Sequence, residues 1–174
     1  IREQYVAHVA KMLTLSGTPA AEAQKNADAI MTFETALAKA SMGVTEMRDP
    51  EKTYHLQTIQ TFEATIPGVD FAAFEDAIHS PRVAELNNAT PQFFPALLDA
   101  VNATDLETLK AYMRYHLLTT VAARLPQPLD DENFDFYGRK LRGQPEQAPR
   151  WKRCSNSVNA ALGEALGKVY VQQY

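Results

Sequence analysis

The chain has 174 residues, 45% of them hydrophobic, with 17 basic and 21 acidic side chains for a net charge of −4. That length is about one domain's worth and buries a core without disulfides, which the lone Cys154 could not form within the chain. The acidic balance does not advertise nucleic-acid binding, no apolar run is long enough for a membrane span, and Ile1-Arg2-Glu3-Gln4 lacks the charged-then-apolar order of a signal peptide.

Helical periodicity dominates from the start. Residues 2–15 place Tyr5, Val9, Met12 and Leu13 on one stripe, and Ser16-Gly17 stops it. Thr18-Pro19 reads as an N-cap followed by proline at the first helical position, opening a helix that carries Ile30, Phe33, Leu37 and Ala38 to about Ala40. The stretch from Gly43 to Asp49-Pro50 is a loop, because a following proline disfavours helix at Asp49. A helix from Tyr54 to Ala64 ends before Pro67-Gly68, and Asp70 caps the next, with Phe71, Phe74 and Ile78 inward. Arg82 to Leu86 can form a short extended piece. Thr104 and Glu107 are spaced as a capping box for a helix with Leu106, Leu109, Met113, Leu117, Val121 and Leu125 on its inner face, stopped at Pro126. The last segment runs Trp151, Cys154, Val158, Leu162, Ala165 and Val169 as a packed stripe. Across from it Gly163 and Gly167 each cost about 1 kcal/mol against alanine, which predicts close approach of another backbone. Glu164 and Lys168 break the apolar character that a membrane GxxxG pair would need.

Pro126–Asn133 and Gly143–Pro149 read as connectors inside one domain. With no regular repeat, the predicted fold is all-α, an irregular bundle of six to eight helices over residues 1–174. Charge is unevenly spread along it. Arg139, Lys140, Arg142, Arg150, Lys152 and Arg153 face only Glu146 in their segment, on an otherwise acidic body. Such a run is a solvated or salt-bridged face, or else a docking face for an acidic partner.

The residue types that carry chemistry are scattered. His8, His55, His79 and His116 are isolated, no HExxH is present, and Cys154 has no metal-binding neighbour at usable spacing. Lys152 and Arg153 could activate Cys154, but its place on the apolar stripe makes it a small hydrophobe. There is no GxSxG elbow, dinucleotide loop or P-loop. Asn88-Ala89-Thr90 and Asn102-Ala103-Thr104 match glycosylation sequons, patterns short enough to arise by chance.

The C-terminal third carries a more specific signal. Phe134-Asp135-Phe136-Tyr137-Gly138-Arg139-Lys140-Leu141, then Trp151-Lys152-Arg153-Cys154 and Gly163-Glu164-Ala165-Leu166-Gly167-Lys168-Val169-Tyr170, resembles the neprilysin/endothelin-converting-enzyme family of zinc endopeptidases, in its N-terminal, non-catalytic region. Glu34 with Leu37-Ala38, Arg48-Asp49-Pro50 with Tyr54, and the helix around Tyr112 and Arg114 match the same family in the same order.

The resemblance implies a segment of a much longer protein with two largely helical lobes around a cavity. One lobe, thermolysin-like, carries HExxH and a downstream glutamate as zinc ligands. The other covers the active site and restricts entry to peptides. This chain would form part of that covering lobe, with the C-terminal catalytic lobe and peptide substrates as its partners. Zinc and peptide-bond hydrolysis would belong to the parent. No catalytic, cofactor-binding or metal-ligating residue of the family carries onto any position here. The family also implies an extracytoplasmic location, secreted, periplasmic or membrane-anchored. A freestanding helical interaction module without enzyme activity is the competing reading.

Overall fold

The computed structural model describes residues 1–173, which form two compact units, one of residues 28–112 and one of residues 1–27 with 113–173. Nine α-helices, two short 3₁₀ turns, one π-helical stretch and a single two-stranded ribbon account for the regular structure of the described residues. The all-α expectation holds, and none of the helices is long and apolar enough to cross a membrane.

In the unit of residues 28–112, the second part of α2 (Ala20–Ala40) buries Ile30 and Phe33, and Phe33 meets Tyr112 edge-on at 5.0 Å. A 3₁₀ turn at Glu46–Arg48 precedes α3 (Pro50–Thr53). Asp49 is extended, as the following proline requires, and its carboxylate caps the amide of Glu51. The predicted helix from Tyr54 is split in two. Leu56–Thr58 is a strand, β1, paired antiparallel with β2 (Glu85–Asn87), and only Ile59–Glu63 is helical, as α4. The reason lies far away in sequence. The Asn87 side chain accepts from the His55 amide at 2.6 Å and donates to the Thr53 carbonyl at 3.0 Å, holding the chain extended. Thr58 then caps α4 by accepting from Thr61.

Phe62 is the centre of this unit's second cluster, with Phe71 at 5.4 Å and Phe94 at 5.0 Å. Asp70 caps α5 (Phe71–Ala77) as predicted, its carboxylate accepting from Ala73 at 2.9 Å. The inward face of α5 differs from expectation, however. Phe74 and Ile78 are exposed, and the residue α5 buries is Glu75, which accepts from Arg82 at 2.9 Å. After α6 (Phe93–Asn102), α7 (Leu106–Val121) is capped by Asp105 rather than by a Thr104–Glu107 box. One carboxylate takes both the Thr108 amide and the Thr108 hydroxyl, Thr104 donates back to Ala100, and Glu107 pairs with Lys110.

In the unit of residues 1–27 and 113–173, α1 (Arg2–Leu15) buries Val9, Met12 and Leu13 of the stripe expected of it, leaves Tyr5 half-buried, buries His8 beside them, and packs on α8 (Gln127–Asn133). Thr18 is buried with an unpartnered hydroxyl, so it does not cap α2, whose first turn is closed by the Pro19 carbonyl instead. The face of α7 is the largest departure from expectation. Met113 and Leu117 are exposed here, and Leu106 is exposed in the other unit. The buried positions of the helix are Thr108, Ala111 and Tyr115. Both faces are apolar enough to pack, and the one with Tyr115 wins because a phenol ring buries more area and keeps a partner for its hydroxyl.

The segment from Pro126, expected as a connector, is helical. Pro126 and Pro128 sit at the start of α8, where a missing amide costs nothing. From α8 the chain continues into a π-helical stretch, Phe134–Lys140, and after the true connector 143–149 into α9 (Arg150–Gln173). No residue of α9 is buried, and its backbone is kinked at Leu162. Trp151, Val158, Leu162 and Val169 are all more than half exposed, so the stripe expected to be packed is open. Gly163 and Gly167 have no atom within 4 Å of where a Cβ would stand. The close approach predicted for them is not made among the described residues.

Candidate functional site

The polar chemistry of the unit built on α1, α8 and α9 gathers in two places. At the first, α1 delivers His8, 2% exposed, onto the ring of Phe136 with centroids 4.7 Å apart and planes nearly parallel. Tyr115 and Tyr137 stand edge-on to it at 6.0 and 5.5 Å, and their hydroxyls bond each other at 3.0 Å. His8 Nδ1 lies 3.0 Å from Glu132 Oε1, while Nε2 is buried without a partner. Burial drives the His8 imidazole below its ordinary range, and the Glu132 carboxylate opposes this without reversing it. A neutral ring inside an aromatic box is a packing group, as isolated histidines most often are.

This geometry fixes a pH dependence. In the unfolded chain His8 titrates near the usual value of about 6.5, and in the folded chain lower. Below about 6.5 the unfolded state therefore binds more protons, and stability falls as pH drops through the lowered folded value. Urea unfolding measured from pH 7 downward is expected to show this loss, and His8→Phe to make it shallower. Identical slopes for the two proteins would remove His8 as the cause.

The second place is Asp130, a carboxylate 3% exposed. Arg153 donates to both of its oxygens at 3.1 and 2.7 Å, Gln147 donates at 2.9 Å, and Arg150 lies at 3.5 Å. Burial alone would raise this carboxyl, but the Arg153 and Gln147 bonds outweigh it and hold the group below the carboxylate range. One helical turn later Asp135 takes Lys140 at 2.7 Å and Arg139 at 2.8 Å, which likewise keep it ionised. Arg142 donates its Nε to the Tyr137 carbonyl at 2.8 Å. The basic run is thus largely a salt-bridged face, folded back on the acids that precede it. Sequence reasoning weighed the run by itself and missed Asp130 and Asp135, though the acidic block 130–135 directly upstream was the available signal.

The remaining residues singled out from sequence are not brought together. His55 and His79 are exposed, His79 with a φ of 54° in the left-handed region after α5. His116 is partly buried on α7. Cys154 is exposed rather than packed, on the open stripe of α9. Among the described residues no group of three or more His, Cys, Asp and Glu side chains could hold a metal ion.

Two concave features complete the picture. A cavity of about 440 Å³ lies between the end of α7 and the π-helical stretch, lined by Thr119, Thr120, Asn133, Tyr137, Leu141 and Arg142. In the other unit a cavity of about 730 Å³ is bordered by Lys39, Glu46, Glu51, Lys52 and His55, with Lys52 paired to Glu46 at 3.0 Å. The second places the carboxylates of Glu46 and Glu51 on one lining, Glu46 held by Lys52, while the first is lined by no carboxylate, histidine or cysteine. The molecule offers surfaces and salt-bridged helix junctions.

Known proteins share this arrangement. The crystal structure of zinc metalloprotease Zmp1 from Mycobacterium tuberculosis in complex with an inhibitor matches 99% of the chain at 31% identity with a TM-score of 0.87, and the same protein's open state matches 98% at 32% identity with a TM-score of 0.85. Endothelin-converting enzyme 1 of Rattus norvegicus is 29% identical over 82% of the chain, and neprilysin-11 of Caenorhabditis elegans is 26% identical over 98% of it. The chain spans only about a fifth of those two relatives (19% and 21%) and 27% of the Zmp1 chain. A family model described as Peptidase family M13, built on the family's N-terminal part, matches residues 1–174. The chain therefore belongs to peptidase family M13 and is an N-terminal, non-catalytic region of it.

Proposed function

We propose that this chain is a wall of the substrate cavity in a zinc endopeptidase, and that it contributes no catalytic group of its own. The observation that carries the reading is the match of its fold, over 99% of the chain at a TM-score of 0.87, to a zinc metalloprotease of which it spans 27%. Residues 1–174 then act by shape, with rigid helices such as α1, α7 and α8 closing off bulk solvent and limiting what can enter. Zinc, the general base and the groups that grip a peptide backbone lie in the remainder of the parent. The substrates are peptides, and the enzyme works outside the cytoplasm, as its family resemblance implies.

The test is direct. The full-length gene product is expected to bind zinc and to cleave peptides, with a chelator abolishing cleavage and zinc restoring it. Residues 1–174 expressed alone are expected to do neither. A full-length product that shows no chelator-sensitive cleavage of any peptide in a mixed library would overturn the reading and leave the interaction-module alternative in its place.

A further inference from the structure

A 3₁₀ turn at Ala122–Arg124 follows α7, and beside it run the first two turns of α9. Between them lies a cavity of about 460 Å³, lined by Arg124, Arg150 and Arg153 together with Thr120, Cys154 and Ser157. No acidic side chain is on its lining. Three guanidinium groups therefore share one space, each permanently charged and each a donor only.

Among the described residues one carboxylate, Asp130, answers these three charges. It is buried and already occupied, with Arg153 on both oxygens and Gln147 on one. Arg150 reaches Asp130 and the Leu125 carbonyl only at 3.5 Å each, long for bonds made by a charged donor. Arg124 is exposed and pairs with no carboxylate; its guanidinium donates to the Ser157 hydroxyl at 3.0 Å. A hydroxyl that accepts in this way keeps its own proton to give. Three positive charges thus meet one negative charge, and two are left over around a space whose free hydrogen-bonding capacity is mostly donors. The exception is Thr120, which spends its proton on the His116 carbonyl at 2.7 Å.

We infer that this cavity is an anion site for a phosphate group, either the free ion or the head of a small organic ester. A lone carboxylate would answer only half of the excess charge. A doubly charged tetrahedral group answers all of it and offers oxygens enough for Arg124, Arg150 and Ser157 at once. Planar guanidinium forks match that geometry. Bound there, phosphate ties Arg124, just after α7, to the opening turns of α9. The site is built from residues of this chain alone and stands whether or not the parent cleaves peptides.

The experiment is equilibrium dialysis of the full-length gene product against labelled inorganic phosphate and, separately, labelled glycerol phosphate, with ionic strength held constant by chloride. Saturable retention of at least one of them is expected; retention of the ester alone assigns an ester head group, and retention of the ion assigns free phosphate. Arg124→Gln is expected to weaken binding about ten-fold, as loss of a hydrogen bond from a charged donor does. Ser157→Ala keeps every charge and should weaken it about three-fold. Lys168→Gln removes a positive charge from an exposed position farther along α9 and should leave binding unchanged. Because the Arg124 side chain is exposed and makes a single bond, its replacement leaves the fold intact, which circular dichroism checks. Absence of saturable binding of either probe overturns the site. So does binding that Arg124→Gln leaves unchanged, which would place the phosphate elsewhere in the parent. Equal losses in Arg124→Gln and Lys168→Gln also overturn it, since they would reduce the effect to general attraction of anions to a basic surface.

Discussion

Tyr115→Ala is expected to cost about 3–5 kcal/mol of folding stability, the usual range for truncating a fully buried aromatic side chain. Tyr115 is 0% exposed, meets Tyr5 edge-on at 5.9 Å and His8 at 6.0 Å, and shares a hydroxyl bond with Tyr137. Truncation leaves a cavity in the middle of this cluster and removes the partner of a second phenol. Burial and the Tyr137 hydroxyl both drive the Tyr115 phenol far above its ordinary range, so it stays neutral and the effect should not vary with pH in the physiological range. Tyr115→Phe separates the contributions. It keeps the ring and should cost only about 0.5–1.5 kcal/mol, the net value of one hydrogen bond. Urea denaturation of the two variants checks both figures, and equal losses would mean that the hydroxyl pair, not the ring, holds the cluster together.

Asp130→Ala is the second large effect, about 2–4 kcal/mol. Removing one partner of a buried ion pair commonly costs about 3–5 kcal/mol because the other charge is left unpaired, and the figure is lowered here because Arg153 is 21% and Arg150 50% exposed to water. The loss should be local as well as global. Connector 143–149 and the first turn of α9 are tied to α8 through this carboxylate, so limited proteolysis within 143–150 should accelerate. Asp135→Ala provides the contrast. Its pairs with Arg139 and Lys140 are solvent-exposed, and such pairs contribute only about 0–1 kcal/mol. Comparable losses for the two aspartates would contradict the burial argument.

The primary sequence by itself determined the helical class, the α1 stripe, the Asp70 cap and the family, because each rests on neighbours within a turn or two or on motifs read directly from the chain. Tertiary structure decided what local pattern leaves degenerate. It broke the helix after Tyr54, because Asn87, more than thirty residues away, supplies a better set of partners for residues 53–55 than a helix would. It chose the Tyr115 face of α7 over the leucine face, since two apolar faces of one helix compete and only packing volume separates them. It turned the basic run inward onto Asp130 and Asp135, a pairing set by where α8 and the π-helical stretch end. And it left the apolar side of α9 open, because amphipathic spacing says that a face will be buried without saying by what.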